Sequence, residues 1–561
     1  LPLEVIPASE SFISFDLGLK DISYNISNFR RNTGYSGIKQ FINYNIKYKT
    51  WQYRGLISLL NFSDNEQNGI FLRPNVEVKK SFPEIKNISA GVKFNSEYNK
   101  IIYPKADSIS PMSSAFYNYE AFILSNEKKE NKFGVSYNYR LNQLPINNII
   151  KNSDESHNYN FFTEILKNEN QQFRINASYR RLKYLNIANS KAESTLTGRT
   201  EYFLNAIKGF FVGNFLYEIG SGQEQKREFG YLEVPAGQGE FMWIDYNNNG
   251  IAELNEFEIA VFQDQKKYIR IFTPGNSYIK ANYLQFNYGI NLDPSLIISE
   301  SSTGYLKFLR KISSSSALQI NKKKSGIDLL FNPFTKEISD TSIISLNSYF
   351  SNTIFFNRMN IKWGLELTQS RSATKNLLAY GLEDHILSNI SGRMRYAFSK
   401  KISSTINLSA GKNILKTANP KFVNRNYYVE KSSLEPRITY IHKNIFRAGF
   451  SYILSLKKNT IDSLERALTQ SVQADFKYNV VSNSTISAKI IYTNINFKGI
   501  PNSTVGYVLL DGLLPGSNYL WSLDLIKKLP GNLELTLQYE GRKPGDTRII
   551  HTGRAAIRAI F

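Results

Sequence analysis

The chain has 561 residues, no cysteine, 14% aromatic residues and a formal net charge of +22. The lack of cysteine excludes disulfides and thiolate metal sites, and the lack of eighteen consecutive apolar residues excludes a helical membrane protein. No basic segment lies in a nucleic-acid-binding motif, which argues against a nucleic acid partner. The positive charge favours an anionic partner such as lipopolysaccharide phosphate, or else reflects a composition rich in Lys, Asn and Ile.

Alternating apolar and polar residues recur along the whole chain. The pattern is unbroken over residues 88–95, 133–140, 361–368 and 533–540, and it indicates strands with two unlike faces. Many aromatic residues without long apolar runs are typical of strands that present one face to lipid and the other to water. The alternative is a large soluble all-β protein, in which the apolar face would pack on a second sheet.

Short polar interruptions and longer polar stretches divide these strands. The short ones lie at 293–312 and near Lys49, Pro83, Lys128, Asn168, Lys208, Asn357, Lys400, Asn444, Asn483 and Gly531. The longer ones include 371–378, 412–427, 457–466, 498–506 and 541–547. Membrane barrels have short turns at one rim and long loops at the other. We therefore predict one all-β domain over residues 1–561, a transmembrane antiparallel up-and-down barrel of about 24 strands, within a range of roughly 22 to 26.

The last predicted strand runs from about Ile549 to Phe561. Ile557, Ala559 and Phe561 share one face of it, and a terminal aromatic residue resembles the C-terminal signal of bacterial outer-membrane barrels. This predicts an integral protein of a Gram-negative outer membrane with its C-terminus in the periplasm. Because successive strands cross the membrane in opposite directions, the short turns then lie in the periplasm and the long loops lie outside the cell.

The predicted extracellular insertion, residues 221–277, carries the one motif with a clear chemistry. Residues 245–256 read DYNNNGIAELNE and match every constrained position of the twelve-residue calcium loop. The predicted ligands are the side chains of Asp245, Asn247 and Asn249, the Ile251 carbonyl, Glu253 directly or through water, and a bidentate Glu256. Pro235, Gly237 and Gly239 exclude the entering helix of a full EF-hand. We interpret the loop as a calcium-bound staple; the alternative is an Asn-rich turn that matches by accident.

Catalytic motifs are weak, and we predict that the chain is not an enzyme. The four histidines, His157, His385, His442 and His551, lie far apart in sequence, and neither a nucleophile elbow nor a P-loop occurs. The run Glu383-Asp384-His385 combines acids with a base, but we interpret it as a solvated loop end. An outer-membrane enzyme with catalytic residues on separate strands is the least favoured alternative.

Three segments, 241–265, 509–521 and 537–561, resemble large outer-membrane β-barrel proteins of the Bacteroidota. The resemblance implies the location and the fold, and it suggests protein partners in an envelope complex. We therefore expect a large conduit, or the barrel subunit of a complex for secretion, outer-membrane assembly or uptake, surrounded by outer-membrane lipid and lipopolysaccharide. The alternative is a calcium-stabilised surface structural or adhesive protein. A TonB-dependent transporter is disfavoured, since alternation from about Phe41 leaves no room for an N-terminal plug.

Overall fold

The computed structural model describes residues 10–32, 34–126, 129–186, 192–326, 331–334, 342–378, 381–461, 465–480 and 484–559. The predicted terminal residue Phe561 and the predicted turn positions Lys128 and Asn483 lie outside the described residues. Two compact units are distinguished, Leu1–Phe203 with Leu216–Ser221, and Leu204–Phe215 with Gly222–Phe561.

The first unit is built from antiparallel strands that follow one another in sequence. Its strands are β1 (Glu10–Leu19), β2 (Ile22–Arg31), β3 (Ser36–Tyr48), β4 (Trp51–Ser63), β5 (Asn68–Phe82), β6 (Ile88–Tyr103), β7 (Ser108–Ile109), β8 (Ser114–Leu124), β9 (Lys132–Ile146), β10 (Ile149–Asn168), β11 (Gln171–Tyr184) and most of β12 (Glu193–Ala206). From β1 to β11 each long strand pairs antiparallel with the next long strand.

The second unit has the same up-and-down order, with one insertion and two short helices. Its elements are β13 (Phe211–Glu233, shared with the first unit), β14 (Phe241–Trp243), β15 (Phe257–Ile259), β16 (Tyr268–Leu292), α1 (Gly304–Leu309), β17 (Ile312–Ser325), β18 (Ile343–Phe356), β19 (Trp363–Leu378), β20 (Gly381–Ala397), β21 (Ile402–Thr417), β22 (Tyr427–His442), β23 (Phe446–Asn459), β24 (Arg466–Val480), β25 (Ser484–Lys498), α2 (Thr504–Leu510), β26 (Gly516–Leu529), β27 (Leu533–Pro544) and β28 (Ile550–Ala559). From β16 to β28 every strand pairs antiparallel with the next.

The all-β, antiparallel prediction is confirmed, and the strand count is close to the predicted one. In the described chain 25 strands have ten or more residues, within the predicted range and one above the central value. The additional strand is β1, because the tight turn at Lys20 and Asp21 was not recognised. The two described helices have six and seven residues, and neither has the length or apolar character of a membrane span.

The predicted contrast between short turns and long loops is only partly correct. Residues 371–378 were predicted as a loop, but they continue β19, because Ala373 and Leu377 stay on the face of Leu365 and Leu367 through the polar stretch. On the same predicted rim, β9 and β10 are joined by Asn147 and Asn148 alone, both with positive φ. That conformation is typical of a two-residue hairpin turn.

The sheet of the second unit has one polar and one apolar face, and the polar face is the buried one. On β23, Ser451, Ser455 and Lys457 are at most 5% exposed, whereas Phe450 and Leu456 on the opposite face are 53% and 48% exposed. This is the reverse of burial in a water-soluble protein. The neighbouring strands agree with β23, since the Ser471 and Thr493 hydroxyls meet at 2.8 Å on the buried face.

One row of the polar face consists of hydroxyl residues alone. Its members, paired in register across eight adjacent strands from β17 to β24, are Ser315, Thr353, Thr368, Ser391, Ser409, Ser433, Ser455 and Thr469. Neighbouring hydroxyls hydrogen-bond to each other in places, for example Ser409 with Ser433 at 2.7 Å.

Candidate functional site

The insertion between β13 and β16 is a folded hairpin. The outer parts of the predicted segment 221–277 belong to β13 and β16. Between them β14 and β15 pair antiparallel, with Phe241 opposite Ile259 and Trp243 opposite Phe257. The ring of Phe257 stacks on Tyr231 at a centroid distance of 3.9 Å. Aromatic packing therefore fixes the base of the insertion, and the calcium motif forms its far end.

Three predicted calcium ligands turn their oxygens toward the backbone of their own loop. The Asp245 carboxylate accepts hydrogen bonds from the backbone N–H groups of Asn249 (3.2 Å) and Gly250 (2.8 Å). The Asn247 side-chain oxygen accepts from the Asn249 N–H at 2.9 Å, and the Asn249 oxygen from the Ile251 N–H at 2.7 Å. Gly250 has φ +71°, as the sharp bend requires. Each oxygen retains acceptor capacity for a cation.

The two glutamates of the motif differ in their surroundings. Glu256 is fully buried, and its carboxylate accepts from the Trp243 indole N–H (2.9 Å) and from the backbone N–H groups of Tyr246 and Glu253 (both 3.3 Å). Glu253 is exposed and accepts from the Asn247 amide at 2.8 Å. Glu256 therefore already joins both ends of the loop, with about one acceptor position left.

The donor set of the loop fits calcium better than a softer metal. Carboxylate and amide oxygens are hard ligands of the kind that calcium binds. Within the described ranges no cluster of three His, Cys, Asp or Glu residues has the geometry of a metal site. The loop relies on amide oxygens for two of its ligands, and calcium binding stays a prediction.

The insertion packs on a second segment, the connection between β25 and β26. The Tyr507 hydroxyl of α2 donates to the Ile259 carbonyl (3.0 Å) and accepts from the Val261 N–H (3.3 Å). The Asn502 amide donates to the backbone carbonyl of Asp245 at 3.3 Å, which links this segment to the first residue of the calcium loop. We call residues 241–265 and 499–515 together the cap.

The cap is anchored on the polar face of the sheet by an apolar core. This core joins α2 to the loop ends of β21, β22, β24 and β25, and its buried members are Leu415, Tyr427, Val429, Ala467, Ile495, Val505, Leu509 and Leu510. Beside it, Lys457 of β23 donates to the Val508 carbonyl (3.2 Å) and pairs with Asp511 (2.5 Å). Apolar burial and a buried lysine thus hold α2 on the sheet.

Two buried arginines hold the insertion half of the cap. Arg425, between β21 and β22, lies 3.6 Å from the Glu258 carboxylate and 3.5 Å from that of Glu383. Arg542 of β27 pairs with Asp264 at 2.5 Å, and its guanidinium lies 4.2 Å from the Phe262 ring centroid. Both arginine side chains are 9% exposed. Buried charges of this kind are costly unless they are paired.

The electrostatics of Glu258 are set by burial. Burial raises the pKa of the Glu258 carboxyl above its usual range, and the Arg425 guanidinium lowers it in part. The Tyr246 hydroxyl donates to the same carboxylate at 3.2 Å, and burial also raises the pKa of this phenol. The contact between the insertion and Arg425 therefore contains an acid that resists ionisation.

The sequence run 383–385 is structural. It was predicted as a solvated loop end, but it lies inside β20, where strand pairing continues to Leu378 and Gly381. Glu383 pairs with Arg425, and His385 Nε2 lies 2.8 Å from the Asn413 side-chain oxygen. The strand thus directs these residues to separate partners. The prediction that the chain is not an enzyme stays a prediction.

Sequence reasoning missed the residues that hold the cap. Arg542 and Asp264 are 278 positions apart in the chain, and no local pattern connects them. One signal was available: Leu509, Leu510, Leu513 and Leu514 form an apolar cluster directly after the predicted polar stretch 498–506. Such a cluster indicates a buried loop segment.

No family model matches the chain, and no curated protein sequence matches it. Among solved structures, OmpF of Salmonella typhi in complex with daunomycin is similar with a TM-score of 0.27 and 12% identity, over 71% of this chain and 97% of OmpF. The FrpB iron transporter of Neisseria meningitidis is similar with a TM-score of 0.30 and 8% identity, over 95% of this chain and 76% of FrpB. The ferric preacinetobactin receptor BauA of Acinetobacter baumannii has a TM-score of 0.31 and 8% identity, over 97% of this chain and 79% of BauA. These neighbours are outer-membrane β-barrel proteins, but at such low scores the proposal of function rests on the strand faces and the cap.

Proposed function

We propose that this chain is an integral outer-membrane β-barrel, a conduit or the barrel subunit of an envelope complex, in which the cap closes the extracellular end. The observation that carries the proposal is the inverted burial of the second unit's sheet. On β23 the apolar-face positions from Ala448 to Leu456 are all apolar, and the next one is Lys458. Ten residues of strand extend about 34 Å, or about 24–28 Å across a bilayer at the usual tilt, which matches the apolar band of such barrels.

The polar face would then line a water-filled lumen. A barrel of about 24 strands encloses a lumen wider than that of porins, and an open hole of that width would endanger the cell. The cap covers the polar face at the loop ends of β21 to β25 through its apolar core, and Arg542 ties it to β27. We propose that it acts as the plug, opened by a partner or by cargo.

We also propose that calcium binds the loop 245–256, through the oxygens of Asp245, Asn247, Asn249, Ile251, Glu253 and Glu256. The inward-turned Asp and Asn oxygens support this assignment. Calcium there would stiffen the insertion half of the cap on the cell surface.

Single cysteines test the location and the orientation, because the natural chain has none. We expect Ile251→Cys, whose side chain at the tip of the insertion is 65% exposed, to react with a membrane-impermeant maleimide on intact cells. Lys400→Cys, in an exposed turn at the opposite strand ends, should react only after the outer membrane is permeabilised. Equal labelling of both on intact cells, or recovery of the protein in the soluble fraction, would contradict the proposal.

The plug is tested by conductance. Replacing residues 241–265 with a short Gly/Ser linker should raise single-channel conductance in planar bilayers well above that of the intact chain. The same kind of replacement in the connection 64–67, whose Asn65 and Glu66 are exposed, serves as the control. Equal conductance of all three proteins would refute the plug and leave the alternative, a calcium-stabilised surface adhesin. The large exposure of Ile251 and Ile259 on the insertion (65% and 69%) favours that alternative.

A further inference from the structure

The apolar face of the second unit's sheet carries a row of basic side chains. In register across β19 to β25 the positions of this row are Arg371, Ser388, Lys412, Glu430, Lys458, Arg466 and Lys498. Five of the seven side chains are basic and one is acidic. Because paired positions lie on one level of the sheet, the basic charges form a belt that is interrupted only at Ser388 and Glu430.

This belt borders the apolar part of the same face. On β23 Lys458 follows Leu456, on β21 Lys412 follows Ala410, and on β24 Arg466 precedes Leu468. All the basic residues of the belt are exposed. The belt therefore lies at the boundary between the apolar band and the loop ends of the strands.

A groove opens on this face where small residues interrupt the larger ones. Its volume is about 720 Å³, with Arg371, Lys412 and Lys458 along one side and Ile390, Ala410 and Leu456 below them. Ser388 and Ser432, which also line it, keep its floor low. Adjacent strands are about 4.8 Å apart, so successive basic residues of the groove lie about 10 Å from one another.

The charges of the groove are largely uncompensated. Glu430 lies 3.5 Å from Lys412, whose ammonium also donates to the Tyr428 hydroxyl at 2.7 Å. Arg371 and Lys458 form no salt bridge with any residue that the structure describes. Cations held above an exposed apolar surface are complementary to an anionic ligand with an apolar tail.

We propose that this groove binds a phosphate-bearing lipid of the outer leaflet, of the lipid A type. The phosphate would contact Arg371, Lys412 and Lys458, and an acyl chain would lie along Ile390, Ala410 and Leu456. The inference rests on the proposed function, since it requires the apolar face to meet the membrane. It extends the expectation of a lipopolysaccharide partner to a defined site.

The test uses the full chain in detergent and diphosphoryl lipid A as the probe, with bound lipid counted by native mass spectrometry. The triple variant R371A/K412A/K458A should bind lipid A at least about tenfold more weakly, since each basic residue near an anionic lipid contributes about a fivefold factor. The charge-conserving triple R371K/K412R/K458R should retain binding. The control K400A/K401A/K528A removes the same charge from exposed positions near the opposite turns and should bind as the natural chain does.

Two further probes identify the ligand chemistry. Lipid A without phosphate should bind poorly, and inorganic phosphate at equal concentration should not displace diphosphoryl lipid A. Equal binding of dephosphorylated lipid, displacement by inorganic phosphate, or full binding by the alanine triple would each overturn the inference. The proposed function is judged separately by outer-membrane fractionation: a chain found there, with a triple variant that still binds lipid A, refutes the groove alone.

Discussion

The two ends of the insertion are held by different kinds of contact. Apart from the bond of the Asn502 amide to the Asp245 carbonyl, the calcium loop 245–256 is closed by bonds between residues at most 13 positions apart, as between Trp243 and Glu256. The other end, 258–264, is held by Arg425 and Arg542 from distant strands. Local bonds determine the shape of a segment, but they cannot orient it on the sheet. The calcium loop therefore shapes the insertion, and the arginines position it.

Removing an arginine should have the largest effect. Arg425→Ala leaves the carboxylates of Glu258 and Glu383 buried without their cation, and breaking such a pair costs about 3–5 kcal/mol. We expect the cap to detach, with faster hydrogen exchange in 241–265 and unchanged exchange in β23. Arg393→Ala is the control, because its pair with Glu366 is longer (3.7 Å) and exposed and is worth about 0–1 kcal/mol. Equal exchange in both variants would show that Arg425 does not position the insertion.

The second largest effect is expected from a cavity beneath α2. Leu509 is fully buried in the apolar core, and Leu509→Ala should destabilise the docked cap by about 2–5 kcal/mol. The measurement is protease sensitivity of 499–515 in detergent, with Leu456→Ala on the exposed apolar face as the control. Protection equal to that of the natural chain would mean that α2 is held by Lys457 alone.

Low pH should strengthen the attachment of segment 258–264 to the sheet. The pKa of Glu258 is raised above its usual value of 4.5, so its favourable contribution is complete below that value and is lost as pH rises through the folded-state pKa. Protease resistance of 241–265 should therefore decline as pH increases above about 4.5. Glu258→Gln should abolish this dependence, while Asp546→Asn, in an exposed turn, should leave it intact. Resistance that increases with pH would contradict the assignment.

Calcium removal should have the smallest effect and a local one. Extracellular loops of this kind bind with about 10⁻⁴ to 10⁻³ M affinity, which at roughly 2 mM calcium corresponds to about 0.6–1.8 kcal/mol. Chelator followed by limited proteolysis should increase cutting within 221–277, and Asp245→Ala should have the same effect without chelator. Unchanged cutting would eliminate the calcium proposal, whereas cutting that spreads to 499–515 would show that Asn502 transmits the loss to α2.

The strands could be predicted because the alternation of apolar and polar residues is visible within a few neighbouring positions. In β19 the positions of Leu365 and Leu367 opposite Glu366 and Thr368 already define two faces, and the structure pairs them as the alternation predicts. The turn at Lys20 was missed because its two polar residues interrupt the pattern too briefly. The loop predicted at 371–378 was wrong because polar residues are common on both faces of a strand near its end.

The cap was predictable only in part. The calcium motif fixes its spacing in twelve residues, so the inward turn of Asp245 and Asn247 follows from sequence. The roles of Arg425 and Arg542 do not, because a salt bridge between distant segments depends on the register of every strand between them. The burial of Glu256 was also not predicted, because its indole partner Trp243 lies outside the motif.

The hydroxyl row from Ser315 to Thr469 has a consequence for permeation through the proposed conduit. Short uncharged side chains leave the widest clearance, and hydroxyl groups both donate and accept hydrogen bonds. At that level the wall would neither attract nor repel ions of either sign, and it would exchange hydrogen bonds with water or any polar solute. Discrimination among solutes would then fall to the cap and to the charged levels of the same face, such as that of Arg437 and Asp475.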